Sequence, residues 1–166
     1  MASNKFIKCS GCDALVMDIA GPVHKYIGAV AGCWNIYGKV LNREYGEYNY
    51  PDIHRLTVDA YSVQHPGNES HLTTQSVAVH LLGLYFSLVE SLSGNSKLEL
   101  IKMAMLQKEK FYWLTPPDFP GKLTIVDVYK TKNIQDHEKL VNLWAADVWN
   151  SWSEHHQVVK NWARDL

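Results

Sequence analysis

The chain has 166 residues, 46% hydrophobic and 20% charged, with 16 basic against 17 acidic side chains. A chain of this size removes about 70% of its unfolded surface from water on folding, so it needs no disulfide framework. The even charge balance excludes a binder that works on nucleic acid by charge alone. No run of 18 apolar residues is present to span a membrane. Residues Met1 to Lys8 lack the apolar stretch of a secretion signal, and the expectation is a cytoplasmic protein.

The N-terminal stretch carries all three cysteines, Cys9, Cys12 and Cys33. An odd count without a secretion signal argues against structural disulfides. Cys9-Ser10-Gly11-Cys12 has the spacing at which a tight turn points two sulfurs at one ion, and Gly11 suits such a turn by tolerating positive φ. Cys33 follows 21 residues after Cys12, with His24 between them. Three sulfurs and one imidazole form a common structural zinc set. The expected ligands are therefore Cys9, Cys12, His24 and Cys33, with His65 as the alternative fourth. The competing readings are reduced thiols with Cys33 as a small core residue, and a redox pair, which lacks a surrounding βαβ pattern.

From Cys33 onward helical periodicity dominates. Trp34, Tyr37, Leu41 and Tyr45 predict a helix over 33–45, stopped by Gly46. Pro51 opens a second helix that ends near Gln64, ahead of Pro66-Gly67. On it His54, Val58, Tyr61 and His65 share a face. Arg55 and Asp59 are spaced for an i,i+4 surface ion pair. A long third helix over 71–91 carries the stripe Val77, Leu81, Leu84, Leu88, and beside it a narrow strip of Ser76, His80, Gly83 and Ser87. Gly94-Asn95 would close it. Ser96 and Glu99 have the spacing of a capping box for a fourth helix running to about Lys110. The prolines of 111–122 forbid a regular helix, Thr124 opens a short one, and a strand over 122–126 is the one competing alternative. His137, Val141, Trp144, Val148, Trp152, His155, Val159 and Trp162 step by three or four along about 28 residues, as one helix or as two broken at Ser153.

The expected fold is all-α, a single-domain helical bundle of five to seven helices. An irregular metal knuckle at 1–32 would pack on the bundle at 33–166. Eight histidines are many for this length. A buried imidazole normally finds an ordinary hydrogen-bond partner. Several converging between helices would instead bind zinc, nickel or iron.

The motifs Cys9-x-x-Cys12, Gly21-Pro22-Val23-His24-x-Tyr26, Gly32-Cys33-Trp34, His54-Arg55-Leu56-Thr57-Val58-Asp59-Ala60-Tyr61, Gln64-His65-Pro66-Gly67 and the closing Trp152 with His155-His156 resemble a family of small bacterial proteins known only as a domain of unknown function. The resemblance runs from Cys9 to Trp162 and implies a soluble, single-domain protein. It implies no activity. Asp13 and Val23 stand where the resemblance leads one to expect glycine and threonine.

Three functions are open to such a chain. The first is a zinc-binding protein with a mainly structural site, its partner a metal ion, with neither membrane nor nucleic acid involved. The second is a metal-dependent enzyme with an open coordination position, for which His54, Tyr61, His65 and His80 are the catalytic candidates. The third is a module that docks partners on its tryptophan-rich C-terminal helix.

Overall fold

A computed structural model describes residues 5–166. The chain begins with a short antiparallel hairpin, β1 (Phe6–Lys8) and β2 (Leu15–Met17), in which Ile7 faces Val16. Seven helices follow: α1 (Ala31–Tyr45), α2 (His54–Gln64), α3 (His71–Leu88), α4 (Gly94–Leu106), α5 (Ile125–Tyr129), α6 (Ile134–Ser151) and α7 (His156–Arg164). The frame is helical, as expected, with the cysteines gathered near its N-terminal end. No helix among the described residues is long and apolar enough to cross a membrane.

α3 is central because its apolar stripe is wide. Leu81, Leu82 and Leu84 have no exposed surface, and α3 packs on α2, α4, α6 and α7. Ser70 caps its start by accepting from the Thr73 N–H. On α6 and α7 the tryptophan stripe turns inward. Trp144 and Trp152 are fully buried, which removes the docking surface that an exposed stripe would have offered. Trp144 Nε1 donates to Gln64 Oε1 at 3.0 Å, and Gln64 Nε2 donates to the carbonyls of Pro120 (3.0 Å) and Leu123 (2.8 Å). One amide thus fastens α2 to α6 and to the proline-rich connector.

The structure excludes one alternative, bears out the short helix opened by Thr124, and differs from three local expectations. Residues 122–126 form no strand, because Thr124 and Asp127 build a reciprocal capping box that starts α5 at Ile125. Ser96 and Glu99 form no such box, since α4 begins two residues earlier at Gly94 and Ser96 bonds the Ser93 carbonyl. The C-terminal stripe does break beside Ser153, but through a 3-10 turn over Ser153–His155, and Ser153 caps nothing. Arg55 does not pair with Asp59, which turns instead toward α3 and α4.

Candidate metal centre and the neighbouring cavity

The knuckle is built by the hairpin. The Cys9 N–H donates to the Ala14 carbonyl at 2.8 Å and the Asp13 N–H to the Cys9 carbonyl at 3.0 Å, which folds both sulfurs to the same side. The left-handed position of this turn is Asp13, with φ of 60°. Aspartate is among the residues that tolerate it, and this accounts for the glycine that the resemblance leads one to expect there. Gly11 serves closeness rather than handedness. A Cβ on it would lie 2.5 Å from the His65 ring and 2.7 Å from the Gly28 carbonyl.

Cys33 comes from the first turn of α1, and His65 from the C-terminal end of α2. His65 reaches the knuckle because the chain after α2 runs back along residues 26–28. The Gly28 N–H donates to the His65 carbonyl at 2.9 Å, the Gly67 N–H donates to the Tyr26 carbonyl at 3.0 Å, and Ile27 bridges Pro66. One donor atom from each of Cys9, Cys12, Cys33 and His65 lies within 4.8 Å of the others, and all four residues are buried. The structure does not bring His24 into this group. It is exposed, and its Nδ1 accepts from the Tyr26 N–H at 3.3 Å.

The group has dimensions that suit an ion. Zinc bonds of about 2.3 Å to sulfur and about 2.0 Å to nitrogen give tetrahedral S···S edges of about 3.8 Å and S···N edges of about 3.5 Å. Cys12 and Cys33 sulfurs are 3.9 Å apart, and Cys33 Sγ is 3.4 Å from His65 Nε2. His65 Nδ1 donates to the Tyr61 carbonyl at 2.8 Å. That bond fixes the tautomer that leaves Nε2 free to ligate.

Charge gives the same reading. The thiols of Cys12, then Cys33, hold the Cys9 thiol far below its ordinary pKa. Cys12 is driven far above its own by hydrogen bonding with Cys33 and Cys9 and by burial. Cys33 is pulled down by Cys12, but Cys9 and burial outweigh this and push it up to about 12. Without a cation only one sulfur of the three carries its charge at ease. A divalent ion held among them would let all three ionise.

The histidines do not converge. His54, His65 and His80 lie in three separate clusters. His54 Nδ1 and His137 Nε2 both donate to the carboxylate of Glu44, at 2.6 and 2.7 Å, and Thr57 Oγ1 donates to it at 2.6 Å. Glu44 is fully buried. Burial raises its pKa, but the bonds from His137, His54 and Thr57 outweigh that and leave it lowered. The sequence did contain the signal for this residue, since Cys33, Tyr37, Val40 and Glu44 step by four, three and four along the buried face of α1. His80 Nδ1 donates to Asp59 Oδ1 at 2.8 Å, and Lys97 Nζ donates to Asp59 Oδ2 at the same distance. Asp59 crosses to α3 over Gly83, where a Cβ would lie 2.6 Å from its carboxyl carbon. His155 and His156 bond the carbonyls of Thr115 and Trp149.

Tyr61, a catalytic candidate by sequence, is fully buried. Its ring stacks on Tyr37 (3.9 Å between centroids) and on His65 (4.0 Å), and its hydroxyl donates to Cys33 Sγ at 3.5 Å. Burial, and then the neighbouring Cys33 thiol, push its pKa up, so it stays a neutral donor. On the far side of Tyr61 a cavity of about 610 Å³ opens between α1, α2, α3 and α4, and His24, His54, Asp59, Tyr61 and His80 reach its wall.

No curated protein and no solved structure matches the chain. A family model matches residues 7–153, which include all four residues of the cysteine–histidine group, together with Glu44, Asp59 and His80. The chain belongs to DUF5946, a family of unknown function.

Proposed function

We propose that the chain is a zinc-binding helical protein whose Cys9, Cys12, Cys33 and His65 hold a structural ion that fastens the N-terminal hairpin to α1 and α2. The observation that carries this reading is the closed shape of the donor group. Four ligand atoms from three separate stretches of chain lie within 4.8 Å of one another, all on buried residues. A catalytic zinc keeps one position open to water, and a structural one fills all four with side chains. Three thiolates and an imidazole are the soft and borderline donors that favour zinc over magnesium or calcium.

Elemental analysis of the tag-free protein tests the reading. The expected result is one zinc per chain, lost together with the order of residues 6–17 when a strong chelator is added. Protein that purifies folded with no stoichiometric metal, and takes up none when zinc is supplied, would overturn it.

A further inference from the structure

The cavity beside Tyr61 is separate from the metal group and is built differently. Two imidazoles on its wall have the same arrangement. His54 and His80 each give Nδ1 to a carboxylate, Glu44 and Asp59 respectively. In each ring Nε2 has no hydrogen-bond partner among the described residues. A ring held at one nitrogen has its orientation fixed, and its second nitrogen is left as a directed polar group. His54 is held hard, by a carboxylate that is itself fully buried and bonded three times. His80 is partly open to the cavity, with a quarter of its side chain exposed.

The charge on the wall is one-sided. Its cations are Arg55, Lys97 and Lys108, and its one carboxylate is Asp59. Asp59 already accepts from both His80 and Lys97. Arg55 and Lys108 have no ion-pair partner among the described residues. The wall also carries the aromatic rings of Tyr26 and Trp34 and the aliphatic side chains of Ile101 and Met105, beside the polar Ser62, Gln75 and Ser76. A volume of about 610 Å³ falls in the usual range for small-molecule sites, which combine an apolar lining with a few placed polar groups.

We propose that this cavity binds a small organic anion with a flat or aliphatic apolar body. The body lies against Trp34 and Tyr26, the anionic group meets Arg55, and Nε2 of His80 is left to accept from an N–H or O–H of the ligand. A cationic ligand would face the unpaired Arg55 and Lys108 with no free carboxylate to receive it. Asp59 and Lys97 are positioning residues that hold the His80 ring. Glu44 does the same for His54.

The test uses the full-length protein as purified, with its metal content measured separately. A failed zinc reading and a failed cavity reading therefore give different results. The probes are 1-naphthoate, decanoate and the cation 1-naphthylmethylammonium, titrated by calorimetry and mapped by amide chemical shifts. The expected result is that at least one of the two anions binds with a Kd of about 1 mM or tighter, with shifts at Trp34, Arg55 and His80. The ammonium compound should bind at least about tenfold more weakly. Arg55→Gln should weaken the anion about tenfold, the loss typical of one charge-assisted hydrogen bond. Lys139→Gln, on the exposed face of α6, should leave affinity unchanged. Arg55 is exposed, so its variant keeps the fold. The proposal is overturned if neither anion binds in the millimolar range, if the ammonium compound binds as well as the anions, or if Arg55→Gln leaves affinity intact.

Discussion

His65 Nδ1 and the carbonyl oxygen of Tyr61 lie 2.8 Å apart, one helical turn from each other at the end of α2. The same side chain therefore closes the last turn of a helix and aims its other nitrogen at three sulfurs. The sulfurs sit on a hairpin and on a separate helix, so α2 sets the position of the fourth donor more than the knuckle does.

This relationship separates two histidines by experiment. Cys12→Ser and His65→Ala should each abolish stoichiometric zinc, whereas His24→Ala should retain it. The loss of stability should reach about 3 kcal/mol, well under the 10–16 kcal/mol of isolated zinc-finger peptides, because this chain has its own core. At this chain length that is a fall in Tm of about 6–12 °C. Metal analysis and a thermal melt of the three variants check it. Zinc lost from His24→Ala and kept in His65→Ala would reverse the assignment.

Glu44 should make stability depend on acid. Its folded pKa is lowered below 4.5, so the fold favours the carboxylate. The stabilisation is present in full above the unfolded value and disappears as pH falls through the lowered folded one. Glu44→Gln removes the charge that His54 and His137 meet and should cost about 3–5 kcal/mol at neutral pH. Denaturant melts from pH 7 down to about pH 3 should therefore show the difference between the two proteins narrowing below about pH 4.5. A constant difference would exclude Glu44 as the source.

Gly83→Ala tests the path by which Asp59 reaches His80. Alanine is the better helix former by about 1 kcal/mol. Its Cβ would nonetheless press on the Asp59 carboxyl group, and displacement of that group should leave a net loss of about 1–3 kcal/mol. Chemical denaturation measures it. A stabilised variant would mean that Asp59 moves aside freely.

Gln64→Ala should leave the indole N–H of Trp144 and the carbonyls of Pro120 and Leu123 without their partner. Unsatisfied buried groups cost about 1–3 kcal/mol each. A net loss of about 3 kcal/mol is expected from denaturant melts, with the near-ultraviolet signal of the tryptophans altered. An unchanged melt would show that water replaces the amide.

The sequence revealed what depends on spacing along the chain. The helices from α1 to α7 follow from steps of three and four, and the sulfurs of Cys9, Cys12 and Cys33 from short separations. What it concealed depends on contacts between segments. Whether His24 or His65 joins the sulfurs turns on the run of backbone at 26–28 beside Pro66-Gly67. No periodicity encodes that contact. The Arg55–Asp59 pair failed for a similar reason, because a partly buried carboxylate goes to the partners that tertiary packing brings it, here His80 and Lys97. Glu44 was legible in its helical step but was masked by its charge, since an acid on an apolar face needs partners from α2 and α6 that only the fold supplies. The hairpin strands are three residues each, too short for alternation to register.

Residue 65 is the last of the four donors to leave the ribosome. A nascent chain that has not yet exposed the end of α2 offers three thiols and no imidazole from this group. A cation caught by the three thiols alone would keep one position open to water, and arrival of His65 at the end of α2 would close it, so that full coordination would report completion of that helix.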